Sequence, residues 1–287
     1  MQHQTGVLYV VATPIGNLGD LSPRARQVLA EVAAIAAEDT RDTRRLLAQY
    51  GITSELIAYH DHNEATMTPQ ILERLVAGQS LALVSDAGTP LISDPGYTLV
   101  AAARAQGLPV VPIPGASAAI CALSASGLPS DRFLFLGFPP RTSVRRRTWL
   151  AAVASEPGTL ILYESAKRVL ETLHDLSVVL GETRRLVIAR ELTKQFETFL
   201  LGTASELIAR LESDPEQRLG EMVLLVEGCS ASESDAAHAE SIRVLRLLCE
   251  AMPLSQAAAL GARLTGTKKN VLYRLGLELG LAAENAE

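Results

Sequence analysis

Apolar residues fall along this chain in short continuous runs, separated by Gly/Pro-rich breaks and by stretches of helical character. Leu8–Ala12 is the first run. A run without a polar member predicts a strand covered on both faces, as in a parallel sheet between helix layers. It breaks at Thr13-Pro14-Ile15-Gly16-Asn17-Leu18-Gly19-Asp20. Ser22 before Pro23 then marks a helix start, a capping hydroxyl ahead of proline at the first helical position. That helix is expected to reach about Val32, and Ala33–Ala37 predicts the next strand. Leu81–Val84, a turn-rich segment, a helix to about Gln106 and the run Pro109–Ile113 make strand, loop, helix, strand. Such a βαβ unit predicts two parallel, neighbouring strands. A small apolar helix, Ala118–Ser126, follows and stops at Gly127.

A second α/β block reads from the runs Phe133–Phe138, Thr159–Tyr163, Arg185–Ala189 and Met222–Val226, with Thr198–Leu201 expected to pair with a neighbour. From Gly228 to about Ala237 the composition turns to Ser, Ala, Glu and Asp, which predicts a flexible linker. Glu240–Ala251 is amphipathic. After Pro253 come two helical stretches around Thr265-Gly266-Thr267-Lys268-Lys269. This is helix-turn-helix spacing, and it suits a helical packing or dimer element equally. The fold class is therefore α/β. The organisation is an α/β domain over 1–127, a second over 128–228, and a linker with a small helical segment over 229–287.

Charge and cysteine usage narrow the function. The 287 residues carry a net charge of -6, which argues against a general, charge-driven nucleic-acid binder but not against local basic patches. Cys121, Cys229 and Cys249 lie far apart and read as reduced residues of a cytosolic protein. No secretory signal and no bilayer-length apolar stretch is visible.

Candidate chemistry gathers at strand ends. In open α/β sheets ligands sit at the carboxyl ends of strands, where Ser85-Asp86-Ala87-Gly88-Thr89-Pro90 and Pro114-Gly115-Ala116-Ser117 fall. These two loops are expected to wall one pocket. Small residues opening a helix expose backbone N–H groups to a ligand. Glu38-Asp39-Thr40-Arg41-Asp42-Thr43-Arg44-Arg45 puts carboxylates and arginines at another strand end; a solvated helix with internal ion pairs is the alternative. His60-Asp61-His62-Asn63-Glu64 lacks a further ligand cluster at metal-like spacing, so a polar loop or a substrate contact is expected there and no metal. Arg141, Arg145, Arg146 and Arg147 form the densest basic patch and suit an RNA backbone. Glu164, Glu191 and Lys194 mark further strand ends.

Taken together, ATPIGNLGDLSPRA, AEDTRDTRRLL, VSDAGTPLISDPG, PGASA, LGFPPR, YES, ARELTK and GEMVLLVEG, in that order, resemble the ribosomal RNA small-subunit methyltransferase I family of the tetrapyrrole methylase superfamily. The resemblance spans nearly the whole chain. It departs after YES, where the family often has proline and histidine and this chain has Ala166 and Lys167.

The resemblance implies S-adenosylmethionine as methyl donor, bound in a cleft between two tetrapyrrole methylase-like α/β domains. It further implies a homodimer, and as acceptor a cytidine 2′-hydroxyl in the decoding region of 16S ribosomal RNA within the small subunit; with the cysteine reading, a cytoplasmic location is expected. Pro14, Ile15 and Gly16 are then expected beneath the donor, with Asp86 accepting hydrogen bonds and Gly88, Thr89, Ser117 and Ala118 offering backbone groups. Tyr163, Glu164, Ser165, Leu192, Glu221 and Met222 are expected to close over adenine and ribose. Lys194 is a candidate base if neighbouring arginines lower its pKa, with Glu191 and Glu164 as alternatives. Arg41, Arg44, Arg141, Arg145, Arg146 and Arg147 are candidate RNA-backbone contacts, with Lys268 and Lys269 as outlying ones. Two other readings fit the architecture: a tetrapyrrole C-methyltransferase, and a non-catalytic RNA-binding assembly protein.

Overall fold

The computed structural model describes residues 5–281, without the side chains of 231–236. The first lobe is a five-stranded, all-parallel sheet of β1 (Leu8–Val11), β2 (Ala34–Ala37), β3 (Glu55–Ala58), β4 (Leu81–Val84) and β5 (Val110–Ile113). Its order is β3-β2-β4-β1-β5. Strands β4 and β5 are parallel but not neighbours, because β1 lies between them and pairs with both. The expectation of adjacency fails for a topological reason. A βαβ crossover fixes handedness, not how many strands it passes over.

Helices cover both faces. Ser22 Oγ accepts the Ala25 amide and starts α1 (Pro23–Glu31), as its sequence predicted. Helix α1 and α2 (Thr40–Gln49) bury Ala25, Leu29 and Leu47 against Val11, Ile35 and Val84. On the opposite face α3 (Glu64–Val76) and α4 (Tyr97–Ala105) bury Ile71, Leu75 and Leu99 against Leu8, Leu81 and Leu83. Strand β1 therefore hands the chain to one face and its neighbour β4 to the other. Connections that part in this way open a crevice between two strands, the topological switch point where ligands bind.

The second lobe is a mixed sheet of β6 (Phe133–Gly137), β7 (Thr159–Ser165), β8 (Arg185–Arg190), β9 (Thr198–Thr203) and β10 (Glu221–Val226), in the order β6-β7-β10-β8-β9. Only β6 and β7 are parallel. Helices α6 (Ser143–Ala151), α7 (Val169–Leu180) and α8 (Ala204–Ser213) cover one face with Leu150, Leu173 and Leu207. The other face is covered by α5 (Ala118–Ser126), whose Ala119, Ala122 and Leu123 pack on Ile161, Val187 and Val223. Although α5 precedes residue 127, its core is that of the second lobe. Its sequence is apolar all round, so periodicity could not say which sheet it would join.

The stretch expected to be a linker is helical. Helix α9 spans Ala231–Cys249 and continues the amphipathic run that follows it. With α10 (Leu254–Thr265) and α11 (Lys269–Glu278) it forms a three-helix unit around Leu245, Leu254, Ala257 and Leu272. No helix among the described residues is long and apolar enough to cross a membrane.

Candidate active site between the lobes

A cavity of about 480 Å³ lies between the lobes, at the carboxyl ends of β2 and β4 and beneath the loops of the second sheet. That volume falls in the range of small-molecule sites. From the first lobe it is lined by Ile15, Glu38, Asp86, Ala87, Gly88, Thr89, Ile92, Ser93 and Asp94. Ser117 and Ala118 follow from the start of α5. The second lobe adds Phe138, Tyr163, Glu164, Ser165, Ala189, Leu192, Gly220, Glu221, Met222 and Val223.

Local bonds hold the first-lobe loops together. Thr13 and Gly88 exchange backbone hydrogen bonds of 2.8 and 3.1 Å across the switch point. Thr89 Oγ1 donates to the Ala116 carbonyl at 2.9 Å, so the two loops expected to wall one pocket are tied directly. Asp86 Oδ1 accepts the Asp39 amide at 2.9 Å and fixes its carboxylate at the cavity edge.

From the second lobe, Tyr163 stands between the rings of Phe135 and Phe138, with centroids 4.9 and 5.5 Å away. Its hydroxyl accepts the Ala119 amide at 3.2 Å. Burial pushes that hydroxyl's pKa up. The loop after β8 is strained: Glu191 and Thr193 have φ of 52° and 65°, where residues with a Cβ rarely sit. Strain of this kind collects at ligand sites.

Lys194 is held as a cation between two carboxylates. Its Nζ lies 2.9 Å from Glu191 Oε1 and 2.9 Å from Glu221 Oε2. Burial works to lower its pKa, but the bonds to Glu221 and Glu191 outweigh it and hold the amine above its ordinary value. The expected lowering by arginines is thereby corrected, because the charges facing Nζ are carboxylates. Lys194 instead joins the lobes. A side chain at Gly16 would reach 2.5 Å from Lys194 Cγ, so the first loop's backbone runs directly under the lysine stem. Gly16 thus lies under this clamp, and neither it nor Pro14 is among the residues lining the cavity.

The two acids proposed beside it are also committed. Glu191 Oε1 accepts the Glu221 amide at 3.0 Å besides Lys194. Burial raises the Glu191 pKa, but that amide and the Lys194 ammonium outweigh it and hold the carboxyl below its usual value. Glu164, 3% exposed, accepts from Thr172 Oγ1 at 2.6 Å, Arg168 Nη2 at 3.0 Å and the Ser165 amide at 2.8 Å. It shapes the β7 end.

Sequence reasoning missed Glu38, Asp94, Ile92, Ser93 and Phe138. All five sit in motifs that were visible, but those of the 91–96 loop turn into the cavity only because that loop bends sharply. Leu91 and Ser93 have φ of 73° and 67°. Glu38 and Asp94 both have raised pKa values, with burial the largest cause and neighbouring acids, Asp86 foremost, adding to it.

The arginines divide. Arg146 is 1% exposed: its Nε meets Asp175 Oδ2 at 2.6 Å and its Nη1 donates to the Pro140 and Arg141 carbonyls. It cannot reach a phosphate and is a core residue of the second lobe. Arg147 shares Asp175 but remains half-exposed. Arg44, Arg141 and Arg145 are exposed. Arg41 is exposed too, with its guanidinium on Asp39 at 2.7 Å. Lys268 and Lys269 lie at the start of α11, far along the chain from the lobes. His60 and His62 meet edge to face at 5.9 Å, and no group of metal-ligating side chains forms among the described residues.

Small and apolar walls with carboxylates at one end suit a ligand that is part aromatic and part cationic. The tetrapyrrole (corrin/porphyrin) methylases match this chain over residues 7–208, and the RsmI C-terminal HTH domain over 235–280. The ribosomal RNA small subunit methyltransferase I of Xylella fastidiosa (strain Temecula1) is 55% identical over 269 residues, 93% of this chain and 98% of that protein. The protein of the same name from Escherichia coli O157:H7 is 53% identical over 282 residues, 96% and 98% of the two chains. Among solved structures, uroporphyrin-III C-methyl transferase from Thermus thermophilus, complexed with S-adenosyl homocysteine, superposes with a TM-score of 0.53 at 19% identity. The match covers 77% of this chain and 97% of that one.

Proposed function

The chain belongs to the tetrapyrrole methylase family, with ribosomal RNA small subunit methyltransferase I as its relatives along nearly its full length, and from that premise we propose that it methylates the 2′-hydroxyl of a cytidine in the decoding region of 16S ribosomal RNA. S-adenosylmethionine is the donor. The observation that carries the reading is the interlobe cavity, whose lining brings together Asp86, Thr89, Ser117 and Ala118 from one side and Tyr163, Leu192, Glu221 and Met222 from the other.

These residues fit the donor. Met222, Leu192 and the Tyr163 ring form an apolar slot for a purine, and Gly220 keeps that slot open. Gly220 has φ of 89°, and a Cβ there would fall 2.2 Å from Glu191 Oε1. Asp86, fixed by the Asp39 amide, and Glu38 present negative charge to an ammonium group. When bound, the donor supplies an electrophilic methyl group on a cationic sulfur. The chain's residues then have to bind, align and exclude water, since holding three reacting atoms in line contributes several kcal/mol or more of the barrier reduction. The Lys194 clamp closes the floor by drawing Glu191 and Glu221 over the first loop.

Exposed Arg44, Arg141 and Arg145 suit the acceptor's phosphates, with Arg41 and Arg147 beside them and Lys268 and Lys269 as outlying contacts. The acidic net charge favours an assembled small subunit over free RNA. A homodimer and a cytoplasmic location belong to the same proposal.

The test is transfer of labelled methyl from S-adenosylmethionine to small subunits that lack this modification. Label in an alkali-resistant cytidine dinucleotide is expected, because a 2′-O-methyl group blocks backbone cleavage. Label on an added porphyrinoid, and none on RNA, refutes the reading.

A further inference from the structure

With Lys194 paired as a cation and Glu191 and Glu164 engaged, the cavity lacks the proton acceptor expected of it. We propose that Asp94 is the catalytic base that takes the proton of the acceptor hydroxyl. The assignment rests on the methyl transfer to a hydroxyl proposed above.

Three observations converge on Asp94. It lines the cavity in a half-buried position. The loop carrying it is held by the positive φ angles of Leu91 and Ser93, and a side chain at Gly137 in the second lobe would meet Ser93 Oγ at 3.2 Å. Asp94 therefore lies in the cavity on a loop where the two lobes meet. Finally, no arginine or lysine forms an ion pair with Asp94 or Glu38 among the described residues.

The charged and titratable groups around it come from four elements: Glu38 at the end of β2, Asp61 in the loop after β3, Asp86 after β4, and the Tyr163 hydroxyl on β7. Burial, the largest cause, together with Asp86 and Asp61, raises the proton affinity of Asp94 against the Ser85 hydroxyl, which lowers it. A carboxylate so placed is a stronger acceptor than a solvated one, provided it is ionised at working pH.

The step balances. The hydroxyl oxygen bonds to the methyl carbon as the carbon–sulfur bond breaks. That bond's electron pair stays on sulfur, which leaves as a neutral thioether. The hydroxyl proton passes to the Asp94 carboxylate and later to water.

The experiment is single-turnover methylation of undermethylated small subunits between pH 5 and 9 by wild type, Asp94→Asn and Asp61→Asn, with calorimetry of S-adenosylhomocysteine binding. Asp94→Asn is expected to slow transfer about 100-fold or more, the usual contribution of a positioned base, with donor-product affinity within about threefold. In wild type the rate should rise with pH to a plateau. Asp61→Asn should move the midpoint to lower pH, because removing a negative neighbour eases ionisation of Asp94. Near-wild-type transfer by Asp94→Asn, loss of S-adenosylhomocysteine binding in that variant, or an unmoved midpoint in Asp61→Asn overturns the assignment. No transfer by wild type overturns the methylation reading itself, and this assignment with it.

Discussion

A buried charge is retained only where its partners are complete, and Arg146 shows what this means for reading a basic patch. RTSVRRR looks like one anion-binding surface, yet one arginine of the four is enclosed with Asp175 while its neighbours face water. The sequence offers no way to separate them, because the partner is 29 residues away. Arg146→Ala is expected to destabilise the fold by roughly 1.5–3 kcal/mol, the cost of losing a buried charged hydrogen bond while Arg147 and Ser143 still hold Asp175, read as a shift in the denaturant midpoint. Arg145→Ala should leave that midpoint unchanged. Burial raises the Asp175 pKa, but the bonds from Arg147, Ser143 and Arg146 outweigh it and lower the carboxyl below its unfolded value. Its stabilising contribution is then complete above the unfolded value of about 3.9 and lost as pH falls through the folded one. Acid titration of stability should show a decline below about pH 4 that is weakened in Asp175→Asn.

Elements were legible where local chemistry decided them. Ser22-Pro23 announced α1, and unbroken apolar runs announced the buried strands. Strand order and the docking of α5 were not legible, since both depend on pairings far apart in sequence. The same holds for the ARELTK loop, whose charges suggested a lowered lysine until Glu221 arrived from β10. Lys194→Ala should weaken S-adenosylhomocysteine binding by about 1–2 kcal/mol, since two carboxylates lose their shared cation, while leaving the pH midpoint of transfer in place. Gly220→Ala should do more. It forces a Cβ into positive φ at a cost of roughly 1–3 kcal/mol and drives it against Glu191, so donor binding should be lost while the two lobes remain folded.

At the scale of the molecule, two sheets built on different principles share one cavity, and a third unit stands apart with its own core. Motif order revealed the cavity's lining because its loops follow strand ends, but Glu38 and Asp94 became visible as a pair only when β2 and β4 were seen side by side. The exposed arginines predict a salt-dependent acceptor affinity. Neutralising Arg141 and Arg145 together should lower the slope of log affinity against log salt by about 0.7–0.9 for each phosphate that no longer meets a guanidinium, with donor binding intact. Calorimetric titration of S-adenosylhomocysteine into wild type and Ala118→Trp tests the interlobe cavity most directly. One molecule bound per wild-type chain, and none by the variant whose indole fills the space between α5 and Tyr163, is the predicted result; undiminished binding by Ala118→Trp would contradict it.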